Sequence, residues 1–162
     1  MHGGPESLVV DSAGGRAYTH QWKARTDSID LTSHKVVSIW ENGCIGSRGI
    51  ALDEKRGFLF SGCDEGKATV LDVLHGGKLL GTLKTDQDGV DIIDFNPSLS
   101  HLYVPAESGE LTIIAVSEKG GLQLLARLPA AKDAHCVVAD DRSNIYVCDP
   151  GSGRLLVYRD TY

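Results

Sequence analysis

Four ionisable residues recur at one interval along the chain. Glu6, Arg48, Asp91 and His135 each stand five positions before a turn residue, Asp11, Asp53, Asn96 and Asp140. With 23% of the chain charged, four such residues at one register exceed what scattered placement readily gives. Arg48 is suited to grip a carboxylate or phosphate oxygen pair through its planar fork. Glu6, Asp91 and His135 could offer hard oxygens and an imidazole to a divalent metal ion. Asp94 replaces an apolar residue, since its counterparts are Val9, Ala51 and Val138. A carboxylate there needs a partner. It either joins the Asp91 site or is satisfied by backbone N–H groups and water. The plainer account of the four is that polar side chains line a wet channel, with Arg48 paired to Glu6 or Asp91.

Those residues are positioned by a repeat. The turn residues lie 42, 43 and 44 apart, and the aromatics Tyr18, Phe60, Tyr103 and Tyr146 lie 42, 43 and 43 apart. Each unit reads as an apolar strand, an Asp- or Asn-led turn, a strand carrying the aromatic, and further strands joined by polar turns. A strand-rich period of about 40–50 residues is that of a propeller blade. The first strands, Leu8-Val9-Val10, Ile50-Ala51-Leu52 and Val137-Val138-Ala139, are continuous apolar runs. Strands covered on both faces read that way, as they are between neighbouring blades. In the third unit the first strand is expected over Asp91–Phe95. The prediction is an all-β β-propeller of four-stranded antiparallel blades, about 3.75 per chain. It forms one domain over 1–162, with blades near 5–46, 47–89, 90–133 and 134–162. The fourth blade is expected to end just past its third strand.

Composition narrows the rest. The net charge is -6 and no basic stripe occurs, so nucleic acid is not the expected partner. No apolar run reaches the ~18 residues of a membrane span. The start, Met1 to Glu6, lacks the basic and apolar parts of a secretory signal, which makes the cytoplasm the default expectation. Cys44, Cys63, Cys136 and Cys148 show no C-x-x-C spacing. They are expected as buried free thiols, with one disulfide of unspecified pairing as the alternative. His20, His34, His75 and His101 are read as solvated, and Trp22 and Trp40 as core, with an exposed interaction face as the alternative for the two tryptophans. No phosphate loop, nucleophile elbow or cofactor motif is present.

The repeats resemble the YVTN family of β-propellers. The likeness rests on Leu102-Tyr103-Val104-Pro105, Ile145-Tyr146-Val147-Cys148, the blade opening Gly49-Ile50-Ala51-Leu52-Asp53, Val70-Leu71-Asp72 followed by Gly-Gly-Lys, and Gly109-Glu110-Leu111. The resemblance covers nearly the whole chain and implies the fold. Members of that family are commonly seven-bladed and often exported. They include surface-layer and ligand-binding proteins, with structural relatives among lactone hydrolases.

A half-ring leaves an apolar blade face at each end. At ~25 cal/mol per Å², several hundred Å² of such surface is worth on the order of 10 kcal/mol. Self-association into a closed ring is therefore expected, the alternatives being a four-bladed ring closed within one chain or a fragment of a longer protein. The favoured function is a non-catalytic binding or scaffold module. Its ligand site, made by Glu6, Arg48, Asp91, His135 and Asp94 at the channel mouth, would take a small polar or anionic ligand or a protein partner. The alternative is a lactonase-type hydrolase using a divalent ion held by Glu6, Asp91 and His135.

Overall fold

A computed structural model describes residues 4–162, so the reading of the first three residues lies outside it. Four antiparallel sheets follow one another along the chain. The first holds β1 (Pro5–Asp11), β2 (Arg16–Gln21), β3 (Arg25–Asp30) and β4 (Lys35–Glu41). The second holds β5 (Ser47–Asp53), β6 (Phe58–Cys63), β7 (Lys67–Asp72) and β8 (Lys78–Lys84). The third holds β9 (Asp94–Asn96), β10 (His101–Ala106), β11 (Glu110–Val116) and β12 (Leu122–Pro129). The fourth has three strands, β13 (Val137–Ala139), β14 (Asn144–Asp149) and β15 (Arg154–Arg159). Strands are paired in sequence order within each sheet. The first strands β1, β5, β9 and β13 lie side by side in that order, as blades do around a hub. The chain is a partial β-propeller.

The repeated turn residue holds each inner hairpin. Asp11 accepts from the Gly14 amide at 2.7 Å, Asp53 from Arg56 at 3.2 Å, Asn96 from Ser98 at 2.9 Å, and Asp140 from Arg142 at 2.9 Å. A short side-chain acceptor mimics a backbone turn there. The turn then needs a left-handed residue, supplied by Gly15, Gly57, Ser100 and Ser143 with φ of 65°, 67°, 57° and 67°. Glycine takes that conformation at no steric cost, whereas the serines are held in it by the hairpin.

The inner strand of blade three is shorter than expected. It begins at Asp94, not Asp91, with one isolated bridge between Val90 and Ala106. Asp94 pairs with Tyr103, so the preceding residues run level with Pro105. Proline has no N–H to continue the ladder. The Ile92 amide turns instead to the His135 carbonyl of blade four, at 3.1 Å.

Three joints between blades are closed. Between blades one and two, Tyr18 packs on Ile50, Leu59 and Leu71, flanked by Trp40. Between blades two and three, Phe60, Val70 and Ala51 meet Ile93, Phe95 and Leu102, with the two phenylalanine rings stacked at 4.7 Å. Between blades three and four, Tyr103, Leu111 and Ile113 meet Val137, Ile145 and Val147. Asp160, just past β15, adds a polar clamp: it accepts from the Tyr103 hydroxyl at 2.7 Å and pairs with His101 Nδ1 at 2.8 Å. Burial, and then Asp160, push the Tyr103 phenol well above its usual range.

Two histidines expected in solvent are thus buried. His101 is one, and His20 is the other. His20 Nδ1 faces the Thr26 hydroxyl at 2.9 Å and Nε2 the Gly49 carbonyl at 3.1 Å, across the joint between blades one and two. A carbonyl only accepts, so Nε2 carries the proton and Nδ1 takes the hydroxyl's. Asn42 completes the network through Thr26 and Ser47. Burial lowers the His20 pKa to about 4, opposed by the bond to Gly49. Cys44 and Cys63 are joined as a disulfide, correcting the expectation of free thiols, while Cys136 and Cys148 are free.

Candidate site at the hub mouth

Arg48, the second residue of β5, is the centre of the polar cluster. Its Nε lies 3.2 Å from Asp64 Oδ1 and its Nη1 4.0 Å from Asp91 Oδ2. Its guanidinium sits over the Trp22 ring, 5.6 Å from the centroid. Trp22 is 53% exposed, so it belongs to this surface and not to the core. Gly49 explains why Asp91 comes so close. A Cβ at that position would collide with the Asp91 carbonyl, so the two backbones approach as only glycine allows.

The loops around this point are held by a repeated backbone bond. Ser47 N–H donates to the Lys23 carbonyl at 3.0 Å, Gly89 to Asp64 at 2.8 Å, and Asp133 to Glu107 at 2.7 Å. The first ties the second loop of blade one to the start of β5, and the other two tie the crossover leaving a blade to that blade's second loop. Together they frame a cleft of about 600 Å³ beside Arg48, walled by Asp64, Glu65, Asp88 and Glu107. Glu65 is anchored, accepting from the Ile45 and Gly46 amides at 2.7 and 3.0 Å and from Lys67 at 2.9 Å. Burial works to raise its pKa, but these bonds outweigh it and hold the carboxyl below its usual range.

The other residues of the register separate. His135 is exposed, with Nδ1 at 2.7 Å from the Asp133 carbonyl; its main chain, not its ring, meets blade three. Glu6 lies on β1 opposite His20 and forms no ion pair with Arg48 among the described residues. Among the described residues no three His, Cys, Asp or Glu side chains gather closely enough to hold a metal ion. The set Glu6, Asp91 and His135 is therefore not assembled as a divalent-ion site. Asp94 also stands apart. Its Oδ1 accepts from its neighbour Phe95 at 2.9 Å and its Oδ2 from Ala139 at 2.7 Å, stitching β9 to β13. Burial raises its pKa against those two bonds. Its counterparts Val9 and Ala51 pack against the next blade, so Asp94 serves the joint.

Beside His135, Cys136, just before β13, lies against Cys148 on β14. The Cys148 amide donates to the Cys136 carbonyl at 3.1 Å, and the Cys136 amide lies 3.0 Å from Cys148 Sγ. Burial first, then Cys148, push the Cys136 thiol up to about 11. A thiol so shifted is a poor nucleophile near neutrality.

No protein-family model and no curated protein matches this sequence. Solved structures match its fold. One is a chain of a mitotic checkpoint complex, at TM-score 0.81 and 14% identity, over 96% of this chain and 50% of that one. Another belongs to the hydrazine synthase of Kuenenia stuttgartiensis, at TM-score 0.76 and 14% identity, over 96% and 49%. A third is the β-propeller domain of Cps50 (Swd1) from Myceliophteria thermophila, at TM-score 0.74 and 10% identity, over 99% and 56%. At such identities the likeness concerns architecture alone. The chain spans about half the length of the chains it matches.

Proposed function

We propose that this chain is a non-catalytic binding module, a half-propeller of YVTN-type repeats that closes its ring by self-association. Its hub-mouth cleft receives a basic segment of a protein partner. The observation that carries this reading is the charge of the cleft. Four carboxylates, Asp64, Glu65, Asp88 and Glu107, line it against the single base Arg48. Arg48 is itself compensated by Asp64 and Asp91. An anion gripped by Arg48 would meet carboxylates on either side, and like charges in a low-dielectric cleft repel. A lysine or arginine side chain would meet acceptors at Asp88 and Glu107, which form no ion pair among the described residues, with the exposed Trp22 ring nearby for a cation–π contact. His135 and Glu6 would border the same mouth in a closed ring.

The test is a titration with two peptides of equal length, one rich in lysine and arginine and one rich in aspartate and glutamate, followed by tryptophan fluorescence. The basic peptide should bind, weaken as salt rises, and bind poorly to the Asp88→Asn, Glu107→Gln variant. Binding of the acidic peptide or of inorganic phosphate in its place contradicts the proposal.

A further inference from the structure

We propose that Cys136 and Cys148 form a dithiol site beside the hub mouth, which reacts with a small disulfide of the glutathione type and closes as a second, readily reversible intrachain bond. The site is separate from the acidic cleft and does not depend on what that cleft binds.

The β13–β14 ladder sets the pair. Val137 stands opposite Val147, so one step further on Cys136 stands opposite Cys148. Val137 and Val147 are buried against blade three. Alternation turns both sulfurs to the other face, where each cysteine is half-buried and within reach of a small reagent. The ladder is already slack here. The Cys148 amide reaches the Cys136 carbonyl at 3.1 Å, but the return bond is missing, because the Cys136 amide goes to Cys148 Sγ at 3.0 Å. The His135 amide points at the same sulfur from 3.4 Å. Two successive amides aimed at one atom are suited to hold the negative charge that builds there during exchange.

That geometry gives the order of events. The Cys136 thiol is kept protonated by burial and by Cys148, so Cys148 attacks first. Its thiolate bonds to one sulfur of the small disulfide, the old S–S bond breaks, and the other half leaves as a thiol with the proton that Cys148 gave up. Cys136 then attacks the Cys148 sulfur. The Cys136–Cys148 bond forms, the mixed disulfide breaks, and the second small thiol departs with the proton of Cys136. Two protein thiols are oxidised and one small disulfide is reduced to two thiols. Opposed residues of an antiparallel pair hold their Cβ atoms about 4.5–5.5 Å apart. A disulfide requires about 3.5–4.5 Å. The closed bond therefore pulls on its strands and is more open to attack than Cys44–Cys63, whose two cysteines are buried.

The test incubates the intact chain with oxidised glutathione. The chain is kept at high dilution, where single chains prevail, since a closed ring would place this face inside a joint. Free thiols, counted after unfolding, should fall from two to none. The mass should drop by two hydrogens, and peptide mapping should join Cys136 to Cys148. Reduced glutathione should restore both thiols while Cys44–Cys63 stays intact. Cys136→Ser should stop with one glutathione on Cys148. Cys148→Ser should take up glutathione on Cys136 at least about tenfold more slowly. Circular dichroism checks that each variant is folded, and the result on the unmodified chain stands without them. Two thiols that persist at every glutathione ratio, a stable adduct on each cysteine, or a bond between chains overturns the site. Equal rates in the two single variants overturn Cys148 as the attacking sulfur. Opening of both disulfides together overturns the reversible character of the second.

Discussion

The joint between blades two and three and the outer face of blade four are built from the same registers. In the joint, Phe60 and Val70 are wholly buried and Phe60 stacks on Phe95. On the outer face, Tyr146 is half-buried and Val157 largely exposed. The local sheets are alike, so the difference is the neighbour and not the strand. Blade stability in this fold is lent across joints, as expected where each repeat touches only adjacent ones. An end blade has half of that support, and here Asp160 adds a clamp from the chain just beyond β15 to His101 and Tyr103.

That contrast can be sharpened by cutting at matched positions. Phe60→Ala should destabilise the chain by about 3–5 kcal/mol in urea unfolding, as for other buried aromatics. Tyr146→Ala at the matched register should cost under about 1 kcal/mol while the chain is single. Equal losses would remove the distinction between closed and open faces. Reduction of the Cys44–Cys63 bond, which spans 19 residues beside the joint of blades one and two, should cost about 3 kcal/mol by loop entropy. Thiol titration of the unfolded, unreduced chain should count two groups, those of Cys136 and Cys148.

His20 gives the joint between blades one and two a pH dependence in the mildly acidic range. Its pKa falls from 6.5 when unfolded to about 4 when folded, because burial disfavours the imidazolium. The unfolded chain then binds the proton first as pH falls. Stability that is full above about 6.5 should decline towards pH 4, by about 3 kcal/mol in all. His20→Gln should flatten that part of the profile. At the small end, Arg154→Ala should change the unfolding free energy of the single chain by no more than about 0.5 kcal/mol, since its side chain is exposed.

The repeat was readable because turn residues and aromatics keep their spacing whatever surrounds them. Arg48 and Asp91 were readable as neighbours for the same reason, since register places both at the start of inner strands. Trp22 and Asp64 were missed, although each stands four residues after the aromatic of its blade, in the loop beside that start. Their equivalence was the available signal. His20 was misread because its polarity suggested solvent. Its place two residues past Tyr18, on a strand with neighbours on both sides, implied burial. Asp94 could be read as needing a partner, but not that the Ala139 amide would be the partner. The pairing of Cys44 with Cys63 depends on how the crossover between β4 and β5 folds, which spacing does not specify.

The mass of the unmodified chain in dilute solution bears most directly on the claim that two unclosed blade faces await a matching surface. Sedimentation across a dilution series should give twice the chain's 17.4 kDa, falling to that value only at the lowest concentrations. A stable 17.4 kDa species at every concentration, with no tendency to pair, would contradict it.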